Sequence, residues 1–390
     1  MALSRTIELK HRGRTIDANV SFVMDLTRFS LAFAVAAGHW TQPFFQEGWV
    51  DLTPMAFAAV GGFFVLSGFT IRMLNPTGSF ALTRYGIDRI SRLWSVALPA
   101  LLITGLLDFT SYCINDRYYI DHWGDSIDHP IFRFLVNSVF LSQIWGHNVS
   151  PLSNSPYWSL SYEAIFYILF GFFMARRIIP MLIAAIIAGP NILYLMILWL
   201  MGVAAFEIFD RSHTPKRSVV LCVSSAFTAI VLCLILSTRF ADVKYILDIC
   251  KNRYFGVFNT SLGMVNNTFV IAALLFAPIL LSLLSGARLL GSFMTVSTPI
   301  VRLSRRIGDF TFPLYLFHFP LFVLCGSIGF YDRHSAVQKI GVFTGVCCLI
   351  FLITPLTTTF KNQLRQVLQR GIGTFSASKV SVRPGSSKIG

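Results

Sequence analysis

The sequence predicts an all-α fold: a polytopic transmembrane helix bundle of about ten spans, with both termini in the cytoplasm. The first observation is composition, since the 390 residues are 54% hydrophobic and 13% charged, whereas soluble domains are about 25% charged. The second is a series of separate apolar stretches, most of them long enough to cross a bilayer as a helix. The third is that basic residues gather in alternate connections between these stretches, as in membrane proteins of fixed orientation.

Composition also excludes several classes of protein. A net charge of +14 would suggest nucleic acid binding in a soluble chain. Here the charge is explained by cytoplasmic loops, so we expect no nucleic acid partner. The alternating ten-residue pattern of an outer-membrane barrel is missing. The seven cysteines form neither a CxxC pair nor a zinc-spaced set, so we expect neither a disulfide framework nor a metal site.

Ten apolar stretches account for most of the chain. The least regular are the fifth and sixth, because Pro180 and Pro190 bracket a short segment that can tilt or break. A further apolar stretch at 131–146 is short, and we expect an interfacial or re-entrant helix there on the outer side. The predicted spans are 21–40, 55–74, 93–112, 157–175, 178–190, 192–209, 218–237, 265–287, 308–329 and 337–359.

The basic residues set the orientation of these spans. Counting Arg72 with them, the segments on the N-terminal side of the membrane hold 23 of the 32 Lys and Arg residues, and the opposite side holds seven. Because Lys and Arg concentrate on the cytoplasmic side, both termini are predicted to be cytoplasmic. The organisation is then a basic segment at 1–20, a transmembrane domain at 21–360 and a basic, disordered tail at 361–390.

The first span carries two residues that are rare inside a membrane. Arg28 and His39 are eleven positions apart, which puts them within about 20° on one helix face and about 16 Å apart along the axis. An intramembrane charge costs several kcal/mol and usually has a partner or a function. Asp25 is spaced to pair with Arg28, and that pair could simply neutralise itself. His39 is a candidate general base; the alternative is an interfacial histidine anchored beside Trp40.

The fourth span opens with a carboxylate, Glu163, about one and a half turns inside the membrane. Ser159 and Tyr167 lie one turn away on either side of it, on the same helix face. Because Glu163 enters from the same outer side as His39, we predict that it orients His39 or acts as its acid–base partner. In the second span, Ser67 fits close helix packing as well as substrate contact.

Basic and aromatic residues in two other spans complete the candidates. Arg84, Arg89 and Arg92 lie at the cytoplasmic boundary, where they could bind a phosphorylated donor or serve as ordinary positive-inside anchors. Tyr315 and His318 share a face of the ninth span, where a structural role for His318 is as plausible as a catalytic one.

Taken in the order in which they occur along the chain, these residues and their neighbours resemble the motifs of the acyltransferase-3 family of polytopic membrane O-acyltransferases. The resemblance covers about residues 20–355. One departure is Trp94, where family members often have a proline soon after the basic motif and this chain reaches Pro99 only later; this puts the start of the third span in doubt. The matching residues are Asp25, Arg28 and His39, the FFVLSGF segment at 63–69, Arg89 and Arg92, Trp158 to Glu163, and Tyr315 to His318.

The resemblance implies transfer of an acyl group, usually acetyl, from cytoplasmic acyl-CoA to a hydroxyl of a cell-envelope carbohydrate, such as exopolysaccharide or O-antigen. It implies a multi-pass protein of the bacterial cytoplasmic membrane that has no bound cofactor and uses acetyl-CoA as co-substrate. Its partners would be acyl-CoA, a carbohydrate or lipid-linked glycan acceptor, and membrane lipids.

The resemblance also implies roles for residues, with transfer either direct or through an acyl-enzyme. Arg84, Arg89 and Arg92 would hold the donor's phosphates. Arg28 would position the thioester, with Asp25 paired to it. His39 would remove the proton from the acceptor hydroxyl, supported by Glu163. The expected substrate-binding or supporting residues are Ser67, Trp158, Ser159, Tyr167, Tyr315 and His318.

Two other functions stay open on the sequence alone. Buried charges at Asp25, Arg28 and Glu163 would also suit a transporter or flippase for an anionic or sugar-bearing substrate. The lack of an internal repeat weighs against transport. A fold kept only as a sensor or scaffold is disfavoured by the complete set of Arg28, His39 and Glu163.

Overall fold

This computed structural model describes residues 9–11, 14–76, 78, 80–255 and 267–380. Within these ranges the chain forms twelve α-helices and one small hairpin, so the predicted all-α class is confirmed. The helices are α1 (Ala18–Trp40), α2 (Thr53–Leu74), α3 (Leu82–Ile114), α4 (Asp116–Trp123), α5 (Pro130–Ser138), α6 (Ser159–Met174), α7 (Ile178–Ala188), α8 (Pro190–Arg211), α9 (Pro215–Phe255), α10 (Asn267–Gly291), α11 (Thr298–Ile328) and α12 (Ala336–Val380).

The hairpin precedes the first membrane helix. Strands β1 (Leu9–His11) and β2 (Arg14–Ile16) pair in antiparallel register. Asp17 follows as the N-cap of α1, and its carboxylate accepts hydrogen bonds from the backbone N–H groups of Asn19 and Val20. These bonds satisfy two of the four orphan donors at the helix start.

Eight of these helices, α1, α2, α3, α8, α9, α10, α11 and α12, are long and apolar enough to cross a membrane. All ten predicted spans are helical, but α6 and α7 have only 16 and 11 residues. At 1.5 Å per residue they are about 24 and 16 Å long, short of the roughly 30 Å hydrocarbon core. The ten predicted stretches thus comprise eight full-length candidate spans and these two shorter helices.

A loop on the outer side explains why α7 can stop short. Gly189 turns the chain from α7 into α8 with φ +80°, and a Cβ there would lie 2.8 Å from the backbone of Trp145. The loop around Trp145 thus packs on the end of α7. Irregular backbone is tolerated within a membrane where it is buried in protein.

The stretch at 131–146 does not cross the membrane, which agrees with the sequence prediction. It contains α5, of nine residues, and a 3₁₀ turn at Ile144–Gly146 in which Trp145 is left-handed, with φ 53°. Arg133 of α5 pairs with Asp128. Hydrogen bonds from this guanidinium lower the pKa of the Asp128 carboxyl.

The cytoplasmic ends of two helices are longer than predicted. α3 begins at Leu82, so the basic segment belongs to the helix. α12 continues to Val380, so the prediction of a disordered tail is wrong for 361–380, and the remainder, 381–390, lies outside the described residues. Residues 361–370 contain neither Pro nor Gly, and Arg365 pairs with Asp88 of α3 at 2.8 Å. Good helix formers and this ion pair extend α12.

Two glycines bring α2 and α8 into backbone contact. A Cβ on Gly68 would lie 1.9 Å from the carbonyl oxygen of Trp199, and a Cβ on Gly202 would lie 1.9 Å from that of Val65. Only glycine permits such an approach between membrane helices. The contact fixes the position of Ser67, next to Gly68.

Candidate functional site

A cavity lies among α1, α2, α3, α6 and α11. Its wall combines apolar side chains such as Phe63 and Leu160 with polar groups from all five helices. The cavity brings together eight of the predicted site residues: Arg28, Ser67, Arg89, Arg92, Ser159, Glu163, Tyr167 and Tyr315.

Arg28 is held rigidly at the cytoplasmic half of the cavity. Its guanidinium pairs with Asp25 at 3.0 Å, as the spacing predicted, and donates to the hydroxyl of Thr70 on α2 at 3.0 Å. Asp25 lies so close to α11 that a Cβ on Gly308 would be 2.9 Å from its carboxylate. The arginine is thus fixed by α1, α2 and α11 together, with its remaining donors available to the cavity.

The carboxylate of Glu163 occupies the middle of the cavity. One of its oxygens accepts hydrogen bonds from the hydroxyls of Tyr167 and Ser67, the latter at 3.2 Å. The indole N–H of Trp199 donates to the Ser67 oxygen at 3.3 Å. These contacts join α2, α6 and α8, and they supply a buried carboxylate with the partners that it needs in a membrane.

Arg89 lies over two aromatic rings at the cytoplasmic end of the cavity. Its guanidinium carbon is 5.6 Å from the ring centre of Tyr167 and 5.9 Å from that of Tyr85. The hydroxyl of Tyr85 donates to the backbone carbonyl of Tyr167 at 3.0 Å. Nε of Arg89 is buried and has no hydrogen-bond partner within the described ranges. An unpaired charged donor facing a cavity is suited to an anionic ligand.

Tyr315 marks the outer end of the cavity. Its hydroxyl is 2.7 Å from that of Ser159 and donates to the carbonyl of Pro156 at 3.2 Å. These contacts tie α11 to the start of α6. The Ser159 hydroxyl also lies within hydrogen-bonding distance of the Pro156 carbonyl, at 3.3 Å, so either hydroxyl can be the donor in the contact between Tyr315 and Ser159.

A pair of histidines lies one turn beyond Tyr315. The ring centres of His39 on α1 and His318 on α11 are 5.4 Å apart. Nδ1 of His318 is 2.8 Å from the carbonyl of Leu314, and since a carbonyl only accepts, Nδ1 carries the proton and Nε2 keeps its lone pair. Nε2 of His318 is buried and has no hydrogen-bond partner in the part of the chain that the structure describes, and the side chain of Gln42 is close enough to interact with His39.

An aromatic layer covers the histidine pair on the outer side. Phe319 contacts His39, with ring centres 5.2 Å apart. It also packs against Phe45 and against Trp123 of α4. Burial raises the pKa of Tyr118 in α4 to about 12, so its hydroxyl stays protonated and donates to the carbonyl of Phe44 at 2.9 Å. This bond fastens α4 over the layer.

Three predicted residues are placed differently from expectation. Glu163 accepts hydrogen bonds from Ser67 and Tyr167, and the histidine beside His39 is His318; support of His39 by Glu163 stays a prediction. Trp158 packs in the core against the ring of Tyr162. Arg84 is exposed and is not among the described residues that line the cavity.

The sequence analysis missed Thr70, Tyr85 and Trp199. Thr70 lies three positions after Ser67 on the same face of α2, and Tyr85 lies four before Arg89 on α3, so helical spacing could have found both. Trp199 had no such signal, because it reaches Ser67 from a helix 132 positions away in sequence.

The family of the chain follows from a match to a known domain. The family model Acyl_transf_3, described as an acyltransferase domain, matches residues 23–360. The chain belongs to the acyltransferase-3 family. Comparisons with curated proteins and with solved structures gave no match. With its apolar helices, membership of the acyltransferase-3 family makes the protein a multi-pass membrane acyltransferase.

Proposed function

We propose that this protein transfers an acyl group, most simply acetyl, from cytoplasmic acyl-CoA to a hydroxyl of a cell-envelope or exported carbohydrate. The membrane would be the cytoplasmic membrane of a bacterium. The observation that carries the proposal is a continuous cavity, which begins among cations at its cytoplasmic end and ends one turn from the pair of His39 and His318. Such a cavity gives a phosphate-bearing donor an approach to the histidine pair from the cytoplasmic side.

The cytoplasmic end of the cavity suits the phosphates of CoA. Arg89 has a buried, unpaired Nε, and Arg92 lines the same wall. Guanidinium groups form bidentate bonds to phosphate, and such charge-assisted bonds are stronger than neutral ones. Arg84, which is exposed, has no part in this proposal.

The depth of Arg28 changes its proposed role. Arg28 and His39 are separated by about 16 Å along α1, and the guanidinium of Arg28 is bound at the level of Asp25 and Thr70. A thioester held by Arg28 would therefore be out of reach of His39. We place the pantetheine arm along the cavity, with Arg28 binding its polar groups and the thioester beside Tyr315.

The acyl transfer then takes place at the outer end. His39 removes the proton from the acceptor hydroxyl, whose oxygen attacks the thioester carbonyl carbon. The carbon–sulfur bond breaks, and the departing CoA thiolate takes up a proton. The hydroxyls of Tyr315 and Ser159 are the groups that can donate to the developing oxyanion. His318, with its lone pair on Nε2, orients His39 or shares its proton.

The test is release of free CoA from acetyl-CoA by the purified protein in nanodiscs. We expect His39→Ala to lower turnover by about 10²–10⁴-fold, the usual contribution of a general base. His213→Ala is the matched control, because His213 is exposed at the cytoplasmic end of α8. Full activity in a folded His39→Ala protein would remove His39 from the mechanism. Substrate flux without CoA release would favour transport.

A further inference from the structure

The cytoplasmic end of α12 adds two cations beside the cavity. At 1.5 Å per residue, Lys361 and Arg365 lie about 38 and 44 Å along the helix from Ala336. This exceeds the roughly 30 Å hydrocarbon core, so both side chains reach the cytoplasmic side. There α12 packs against α3, the helix that carries Arg89 and Arg92.

An ion pair fixes α12 in this position. The guanidinium of Arg365 is 2.8 Å from the carboxylate of Asp88, whose side chain is only 10% exposed. Asp88 is one turn from Arg92 on α3, so the same helix face holds α12 and lines the cavity. This bond uses one end of the guanidinium, and Nε of Arg365 is buried without a partner among the residues described.

Lys361 lies one helical turn before Arg365 on α12. It is close enough to Arg92, Arg365 and Asp309 to interact with each electrostatically. Three cations, Arg92, Lys361 and Arg365, thus lie near two carboxylates, Asp88 and Asp309, at the cytoplasmic end of the cavity. Like charges brought together in this way repel one another, unless an anion lies between them.

Lys361 and Arg365 are outside the part of the chain that carries the family match. The acyltransferase domain match ends at residue 360, one position before Lys361. The family motifs in the sequence end earlier still, with His318. Lys361 and Arg365 therefore lie just beyond the matched domain.

We propose that the cytoplasmic end of α12 binds the nucleotide end of the acyl donor, with Lys361 and Arg365 contacting its phosphate groups. This rests on the proposed function, in which the donor is acyl-CoA. Asp88 acts as the positioning residue for Arg365. Arg89 and Arg92 bind the phosphates nearer the cavity, and the α12 cations bind those farther out.

The experiment compares two donors that share a thioester and differ in the nucleotide. Acetyl-CoA carries the phosphorylated nucleotide, whereas acetyl-pantetheine lacks it. We expect Lys361→Gln and Arg365→Gln each to raise KM for acetyl-CoA about tenfold, the usual effect of losing a charge-assisted bond. Their kcat, and the KM for acetyl-pantetheine, should stay within about twofold. Arg365→Lys, which keeps the charge, should restore part of the affinity.

The matched controls are Lys216→Gln and Arg217→Gln. Both residues are exposed cations at the start of α9, a different helix of the bundle. Equal changes in KM for both donors would overturn the inference in favour of a structural role for α12. Unchanged KM for acetyl-CoA in both α12 variants would also overturn it and leave the proposed function intact. A wild-type protein that neither binds CoA, by isothermal titration calorimetry, nor uses acetyl-CoA would overturn both.

Discussion

The helices around the cavity and the helices that face lipid differ in how much of their surface is buried and in where their hydroxyl groups form hydrogen bonds. In the most apolar stretches of α2 and α11, 67% and 72% of residues are buried, against 6% in α9. On α2, the Ser67 hydroxyl bonds to Glu163 of another helix. On α9, the hydroxyls of Ser225 and Thr228 donate to carbonyls of their own helix. The bond to another helix therefore distinguishes Ser67 at the cavity from Ser225 and Thr228 on α9.

The largest effect should come from the close contact between α2 and α8. In Gly68→Ala, the new Cβ would overlap a backbone oxygen at 1.9 Å, and the two helices would have to separate. We expect a loss of stability at or above the roughly 1–3 kcal/mol usual for overpacking. In Gly345→Ala on α12, no described atom lies within 4 Å of the new Cβ, so stability should not fall. Thermal unfolding in detergent, followed by tryptophan fluorescence, measures both.

A stable Gly68→Ala protein with unchanged turnover would contradict this expectation, because it would show that α2 is not held by backbone contact. A loss of turnover without a loss of stability would instead show that the contact positions the cavity residues, since Ser67 would then have moved relative to Glu163.

The next effect concerns two arginines on α3. Arg89→Gln removes a buried cation from the cavity, and we expect KM for acetyl-CoA to rise about 10–100-fold, the range for hydrogen bonds to charged groups. Arg84→Gln changes an exposed side chain, and KM should change less than twofold. Steady-state kinetics of CoA release measures both variants. If the two variants were equally impaired, the basic segment would act by its overall charge, and the cavity geometry would not matter.

The smallest expected effect is a difference in stability between variants of Thr70 and Thr228. Thr70→Val removes the hydroxyl that accepts from Arg28, and leaving a buried charged donor unpaired costs about 1–3 kcal/mol. Thr228→Val on α9 removes a hydroxyl that bonds only its own helix at an exposed position, where substitutions change stability by about 0.5 kcal/mol or less. Unfolding temperature and turnover distinguish the two variants. Equal losses would contradict the distinction between cavity and lipid-facing helices.

Contacts within one helix could be predicted from the sequence, and contacts between helices could not. The Asp25–Arg28 pair and the shared face of Ser159 and Glu163 follow from helical spacing alone. The Ser67–Glu163 bond joins residues 96 positions apart, and such a meeting depends on how α2 packs on α6. For the same reason, the sequence indicated His39 and His318 separately but not the contact between their rings.

The cytoplasmic end of α12 is a second feature that the sequence does not predict. Composition predicts a disordered tail for residues 361–380, because it measures only whether a segment has enough apolar residues to form a core. The described part is held by the ion pair of Arg365 with Asp88, by the packing of α12 on α3 and by continuity from an apolar helix. None of these is visible in composition.

The aromatic layer over His39 has a consequence for the membrane as a barrier to protons. A polar passage with titratable groups through the membrane would let protons leak from one side to the other. Here the rings of Phe319, Phe45 and Trp123 cover the histidine pair on its outer side. Apolar constrictions exclude water and so interrupt proton transfer. The same rings that cover His39 therefore keep the membrane electrically tight.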